Sequence, residues 1–203
     1  KIIERKSDKC RKWDHQFVCS RFGAVAEDFI PLWIADMDFT SPPAVIDGFQ
    51  RIVEHGTFGY TYAFNEFYEA VIGFQRDRHH VSIEQDWITL TYGTVSTLHY
   101  MVQAFCQPGD SVMMNTPVYD PFAMATERQG VKVLANPLSI ADSRYQLDFS
   151  LVEDQLKLHK PKLWFFCSPH NPSGRIWTAD EIRQVSDLCK RYGVVLVVDE
   201  VHA

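Results

Sequence analysis

The chain has 203 residues, 46% hydrophobic, 23% charged and 13% aromatic, a composition that supports a sizeable buried core. Its net charge of -6, with Lys and Arg scattered singly, offers no basic stripe for a nucleic-acid backbone. The longest apolar runs, Leu163 to Cys167 and Val194 to Val198, are strand-sized and far short of the roughly 20 residues that span a bilayer, so neither nucleic acid nor membrane is an expected partner.

The N-terminal Lys1-Ile2-Ile3-Glu4-Arg5-Lys6 is polar and lacks the apolar core of a secretory signal; the absence of a starting Met leaves room for a removed segment. The five cysteines are odd in number and widely spaced, with no C-x-x-C pair and no His at zinc-finger spacing. They read as reduced thiols of a cytoplasmic protein without a metal site. Cys106, Cys167 and Cys189 sit inside apolar patterns, as core thiols do.

The first forty residues show little periodicity and read as an arm or part of another lobe. Ser41 with Pro42 and Pro43 starts a helix whose apolar face is Val45, Ile46, Phe49, Ile52 and Val53, ended by Gly56. The aromatic loop Phe58-Gly59-Tyr60-Thr61-Tyr62 leads to a second helix, Glu66 to Arg76. From Trp87 onward strands and helices alternate: strand Ile88–Thr91, helix Val95–Phe105, turn 108–110, strand Val112–Asn115, helix Asp120–Gln129 closed by Gly130. Strand Val131–Leu134, helix Phe149–Leu158 and the buried strand Leu163–Cys167 follow. Helix Thr178–Tyr192 opens with the capping box Thr178-Ala179-Asp180-Glu181, carries the face Ile182, Val185, Leu188, Cys189, and stops at Gly193. Val194–Val198 then reads as a fully buried strand. The alternation predicts an α/β domain with a mostly parallel sheet. A sequence that stops at Ala203, just past the end of a core strand, reads as part of a longer chain.

Ligands of open α/β sheets bind at the carboxyl ends of strands, so the residues there carry the chemistry. Asp199-Glu200-Val201-His202 follows five aliphatic residues; the Asp is a ligand-facing acid, a strand-end cap, or an Mg²⁺-binding acid of Walker-B type, though no G-x-x-x-x-G-K-[ST] accompanies it. In Ser168-Pro169-His170-Asn171-Pro172-Ser173-Gly174 the prolines stiffen a loop around one amide, Asn171, or the segment is a plain turn. Thr91-Tyr92-Gly93-Thr94-Val95-Ser96 joins strand to helix, either as an anion cradle at a helix N-terminus or as ordinary capping. Pro117-Val118-Tyr119-Asp120-Pro121 places an aromatic ring at another strand end, unless the Tyr is simply core. Together the four strand ends hold what an anionic pyridine cofactor needs: a phosphate cradle, an aromatic ring, an amide and an acid.

These segments resemble the fold-type I pyridoxal-phosphate (PLP) enzymes of the aminotransferase class I/II superfamily, over essentially the whole chain. Trp33-Ile34-Ala35-Asp36-Met37-Asp38-Phe39, His55-Gly56-Thr57-Phe58-Gly59-Tyr60, Ser168 to Gly174 and Asp199 to His202 resemble its cystathionine β-lyase (C–S lyase) branch, the MalY/PatB type. The resemblance implies the PLP-dependent transferase fold, with residues 1–45 as an arm and part of a small domain and 46–203 as the incomplete N-terminal part of the large PLP-binding domain. It implies that Asp199 pairs with the pyridine nitrogen, Asn171 bonds the 3′-oxygen with His202 nearby, Tyr119 stacks on the ring, and the Gly93, Thr94 and Val95 backbone holds the phosphate. Tyr60 would reach the phosphate of a neighbouring subunit, implying a homodimer, and Ala35 and Asp36 would lie near the substrate's carboxylate. The family's Schiff-base lysine and carboxylate-binding Arg have no match among these residues: Lys162 and Lys190 flank a strand and a helix as solvated charges. The implied activity is α,β-elimination on cysteine-thioether amino acids to thiol, pyruvate and ammonia, with an aminotransferase or a non-catalytic regulatory module as alternatives.

Overall fold

The computed structural model describes residues 3–6 and 8–203, so Lys1 and Ile2 of the N-terminal reading lie outside it. The chain divides into two compact units, the first ending at Ala70 and the second spanning Val71–Ala203.

In the first unit, α1 (His15–Phe22) is a helix that periodicity did not reveal. It has eight residues and one buried side chain, Val18, so it presents no repeated stripe. Its signal was local: Asp14 accepts the Phe17 N–H at the N-cap, and Gly23 (φ 83°) ends the helix. α2 (Pro43–His55) begins with Pro43 in its first turn; Pro42, not Ser41, occupies the N-cap, and no side chain caps it. Gly56 (φ 76°) returns its N–H to Ile52 and closes the helix. The apolar side chains Val45, Ile46, Phe49, Ile52 and Val53 are all exposed. α3 (Asn65–His79) extends the expected second helix at both ends.

The second unit contains a four-stranded parallel sheet. α4 (Thr94–Phe105), β1 (Ser111–Thr116), α5 (Pro121–Glu127), β2 (Lys132–Pro137), α6 (Phe149–His159), β5 (Leu163–Cys167), α7 (Ala179–Tyr192) and β6 (Val195–Asp199) form the alternation read from sequence, with a hairpin of β3 (Ser139–Ala141) and β4 (Arg144–Gln146) added. The strand order is β2-β1-β5-β6, every neighbouring pair parallel. The hairpin escaped notice because its turn residues, Asp142 (φ 51°) and Ser143 (φ 60°), lack the Asn-Gly or Asp-Gly signature of tight turns.

Alternation along the strands divides the core into two faces. Val112, Met114, Leu163, Phe165 and Cys167 pack with Leu98 and Val102 of α4 and Phe122 and Ala125 of α5. Met113, Trp164 and Phe166 pack on the opposite side with Val152 and Leu156 of α6, Val185, Leu188 and Cys189 of α7, and Trp177. The result is a helix–sheet–helix sandwich in which every residue of β5 is buried.

Three expectations need correction. Residues 88–91 are not a strand: Ile88 is extended (φ -95°, ψ 115°), but the segment pairs with no strand among the described residues, and extended backbone becomes a strand only with a ladder partner. β6 is only half-buried, with Val198 41% exposed, because it is hydrogen-bonded on one side alone. The helix expected over 120–129 closes earlier, at Glu127, and a turn carries the chain to Gly130 (φ 70°).

α7 forms as its sequence dictates. Thr178 accepts the Glu181 N–H, the Glu181 carboxylate accepts the Thr178 N–H at 2.7 Å, and Gly193 (φ 66°) terminates the helix. Only Val185, Leu188 and Cys189 of its apolar face are buried, whereas Ile182 is 41% exposed. Thr178→Ala is therefore expected to cost about 1 kcal/mol through loss of the cap. Leu188→Ala should cost about 3 kcal/mol, whereas Ile182→Ala, on the same apparent stripe, should cost under about 1. Denaturant midpoints of the three variants check the ranking; equal losses for Leu188 and Ile182 would contradict this packing.

Candidate functional site

β1, β5 and β6 are parallel neighbours, so Thr116, Cys167 and Asp199 end at one edge of the sheet, about 4.8 Å apart from strand to strand. The loops that leave them are the three singled out in the sequence. α4 brings the fourth group to this edge. Its C-terminal end joins the start of β1 through five residues, 106–110, and Leu98 and Val102 lie on the same core face as Val112 and Met114. A 12-residue helix of about 18 Å running back along a strand of about 20 Å puts its N-terminus at the strands' carboxyl end.

That N-terminus is open. Gly93 (φ 92°, ψ 162°) is the N-cap and provides no side-chain cap to the first-turn N–H groups. A Cβ built on Gly93 meets nothing within 4 Å, Thr94 and Val95 are exposed, and Thr97 is the residue whose N–H bonds back to the Gly93 carbonyl. Uncapped donors at the positive end of a helix dipole suit a phosphate.

The acid is equally available. Asp199 pairs in register with Cys167, and it shares its parity along β6 with Val195 and Val197, which pack on the α4 face. Its Oδ1 accepts the Val201 N–H at 3.0 Å, while Oδ2 has no partner among the described residues. The strand-end cap is therefore present, made by one oxygen alone.

The Asn171 loop is held from beneath. Cys167 Sγ accepts the Asn171 N–H at 3.3 Å and donates to the Pro169 carbonyl at 3.2 Å. The Ser168 N–H reaches the Asp199 carbonyl at 2.9 Å, tying the loop to β6, and the Trp177 indole donates to the Cys167 carbonyl at 2.9 Å. Burial pushes the Cys167 thiol up, opposed by the Asn171 N–H and reinforced by the Asp199 charge, so the sulfur keeps the proton it donates. With its backbone fixed in this way, the Asn171 side-chain amide has no protein partner among the described residues. Tyr119 is 44% exposed beyond the end of β1, and His202 is exposed in the turn after Asp199.

Cys167 is the contributor that sequence reading missed. Its place inside an apolar run marked it as core, which it is, and only the loop geometry shows the sulfur also shaping the neighbouring turn. Its adjacency to Ser168-Pro169-His170-Asn171 was the available clue.

Tyr60, Ala35 and Asp36 belong to the other compact unit. Tyr60 is fully exposed in the loop between α2 and α3. Ala35 is exposed too, but the Asp36 carboxylate is occupied: it accepts from Arg5 Nη1 at 2.8 Å and Cys10 Sγ at 3.2 Å, and the Arg5 guanidinium holds it below the usual carboxylate range. Lys12 donates to the Asp36 carbonyl and the Asp38 carboxylate, both at 2.7 Å, and the Trp13 indole donates to Asp38 at 2.6 Å. The Trp33–Phe39 segment thus uses both its acids to pin the N-terminal stretch, a task its sequence did not announce.

Among the described residues, no three His, Cys, Asp or Glu side chains are grouped to hold a metal ion, and no helix is long and apolar enough to cross a membrane. What the second unit offers is an uncapped helix N-terminus, an unpaired amide, a carboxylate oxygen without a partner and an accessible phenol at one sheet edge. That set fits pyridoxal phosphate: anion, ring oxygen, ring nitrogen and ring face each have a counterpart.

Comparison with known proteins identifies the family. Residues 27–203 match the family model of aminotransferase class I and II. Cystathionine beta-lyase PatB of Bacillus subtilis is 38% identical over 98% of this chain and 51% of its own length. Protein MalY of Escherichia coli is 30% identical over 100% of this chain and 51% of its own. Cystalysin from Treponema denticola, whose crystal structure contains pyridoxal 5′-phosphate, superposes with a TM-score of 0.90 at 36% identity, covering 99% of this chain and 50% of that one. The chain spans about half the length of the curated relatives it matches. It has the α/β fold of these PLP-dependent proteins, and it belongs to the aminotransferase class I and II family.

Proposed function

We propose that the whole protein containing these residues is a PLP-dependent C–S β-lyase that takes a cysteine-thioether amino acid and water to a thiol, pyruvate and ammonia. The observation that carries the reading is Asp199, a carboxylate anchored through one oxygen at the carboxyl end of β6 with the other unpartnered. The naming of PatB as a cystathionine beta-lyase, and the PLP-bound C-S lyase of Staphylococcus hominis, with a TM-score of 0.89 at 29% identity, support the lyase over an aminotransferase.

Bound PLP supplies an electron sink for the negative charge left when the substrate's α-proton departs. This chain's residues hold that sink in place and set its charge. Asp199 keeps a proton on the pyridine nitrogen by offering it a fixed negative partner, which is worth more in a site shielded from water than in solution. Asn171 donates from its amide to the ring 3′-oxygen, and His202 lies close by. The Thr94 and Val95 N–H groups bind the phosphate at the end of the α4 dipole, with Gly93 giving the backbone room to approach. Tyr119 covers one ring face. Ala35 and Asp36 lie near the substrate's carboxylate end, with the Asp36 carboxylate already engaged by Arg5 and Cys10 and its carbonyl by Lys12.

Tyr60, exposed on its loop, reaches the phosphate of a second copy, making the active form a homodimer of a cytoplasmic protein. Residues 1–45 form an arm and part of a small domain, and 46–203 begin the large cofactor-binding domain. The covalent lysine and the substrate-binding Arg come from outside these residues.

Incubating the whole protein with PLP and cystathionine, with no keto-acid acceptor present, is expected to release pyruvate. Asp199→Ala should lower kcat/KM on the order of 10²–10³-fold, the scale for removing one preorganised charge partner. Turnover that requires a keto-acid acceptor would replace the lyase with an aminotransferase, and an Asp199→Ala variant with unaltered kcat/KM would remove this carboxylate from the mechanism.

A further inference from the structure

His170 is buried beside the site, only 2% exposed, and no step described so far uses it. Its ring lies edge-on to Trp177, with centroids 5.9 Å apart and planes at 71°. Its backbone closes the loop on both sides: its N–H donates to the Arg175 carbonyl at 2.8 Å, and its carbonyl accepts the Gly174 N–H at 2.7 Å. Nδ1 lies 2.7 Å from Ser173 Oγ, and that oxygen also accepts the Arg175 N–H at 3.3 Å. In the tautomer that carries its proton on Nε2, Nδ1 accepts from the Ser173 hydroxyl.

Nε2 is buried and makes no hydrogen bond within the described residues. The acceptor beside the ring is the Asn115 carbonyl of β1; burial nevertheless holds the imidazole's proton affinity below its usual value. Asn115 is itself immobilised, accepting from the Trp164 indole at 3.0 Å and donating to Asn136 at 2.9 Å. The ring therefore lies between the end of β1, which leads to Tyr119, and the loop after β5, whose next residue is Asn171. Arg175, the nearest cation along the chain, is engaged elsewhere, with its guanidinium on Glu181 and the Tyr145 carbonyl.

We propose that His170 is a positioning residue: its buried imidazole, locked by Ser173 and aimed at the end of β1, fixes the 168–174 loop so that the Asn171 amide meets the cofactor's ring oxygen. The proposal rests on the PLP reading above. An amide donating to that oxygen favours its deprotonated form, so loosening the amide raises the pH at which the oxygen takes up a proton. That midpoint is read from the absorbance of the bound cofactor, independently of turnover.

Whole protein loaded with PLP is compared with its His170→Phe, His170→Gln, Ser173→Ala and Asn171→Ala variants. His170→Phe keeps ring volume against Trp177 but loses both nitrogens. It should raise the absorbance midpoint by about one pH unit and weaken PLP binding roughly tenfold. His170→Gln, which restores a donor near the Nε2 position, should recover part of both. Ser173→Ala, which leaves the ring in place, should move the midpoint in the same direction by less and carries the test if His170→Phe does not fold. The His170→Phe/Asn171→Ala double variant should add nothing to Asn171→Ala alone. A His170→Phe or Ser173→Ala protein that melts earlier yet keeps the wild-type midpoint and PLP affinity would overturn the positioning role and leave the cofactor reading standing. Wild-type protein that fails to bind PLP would instead overturn the cofactor reading.

Discussion

Parallel pairing of β1, β5 and β6 is the constraint from which the rest of the second unit follows. Parallel strands need crossovers, the crossovers are helices, and the helices cover both faces of the sheet, so its faces are closed to ligands and only its edges stay accessible. The β5 run Leu163–Cys167 is buried throughout because helices lie on both sides of it. Each crossover starts with a loop at the same carboxyl edge, and α4 returns its N-terminus there as well. Groups as far apart in sequence as Gly93 and Asp199 are brought to one place by topology rather than by any local motif.

The site residues combine rigid backbones with free functional groups. Asp199 anchors one oxygen on Val201, and Asn171 has its N–H on Cys167 while its amide stays unbonded. Gly93 ends a helix that no side chain caps. Functional groups held on anchored backbones, with their polar atoms not spent on protein partners, are what a preorganised binding site requires. The role given to His170 extends this to a deeper layer: a buried imidazole that touches no ligand but governs where one that does can point.

Most of the second unit could be read from sequence because its signals are local and redundant. The Thr178–Glu181 box and Gly193 fixed both ends of α7, and the apolar β5 run announced a strand covered on both faces. What could not be read depended on neighbours. Residues 88–91 have strand-like side chains but no ladder partner, and β6 has a core-like sequence at a position where one edge is unpaired. Ile182 matches the α7 stripe but sits at its rim. In the site, residue types and their order were legible, and the supporting contacts were not: a thiol in an apolar run does not reveal that it will cradle the Asn171 N–H. The Trp33–Phe39 segment shows the same limit, since the pairing of Asp36 with Arg5 and of Asp38 with Lys12 and Trp13 joins positions more than twenty residues apart.

The central claim is that Asp199 holds a protonated pyridine nitrogen at the carboxyl edge of the sheet. Nitrogen NMR of ¹⁵N-labelled PLP bound to the whole protein measures this directly. The claim predicts a pyridinium nitrogen that keeps its proton at pH values where free cofactor has lost it, and loss of that proton in Asp199→Ala. A neutral pyridine nitrogen in the wild-type protein at neutral pH, or a pyridinium that persists unchanged in Asp199→Ala, would contradict it.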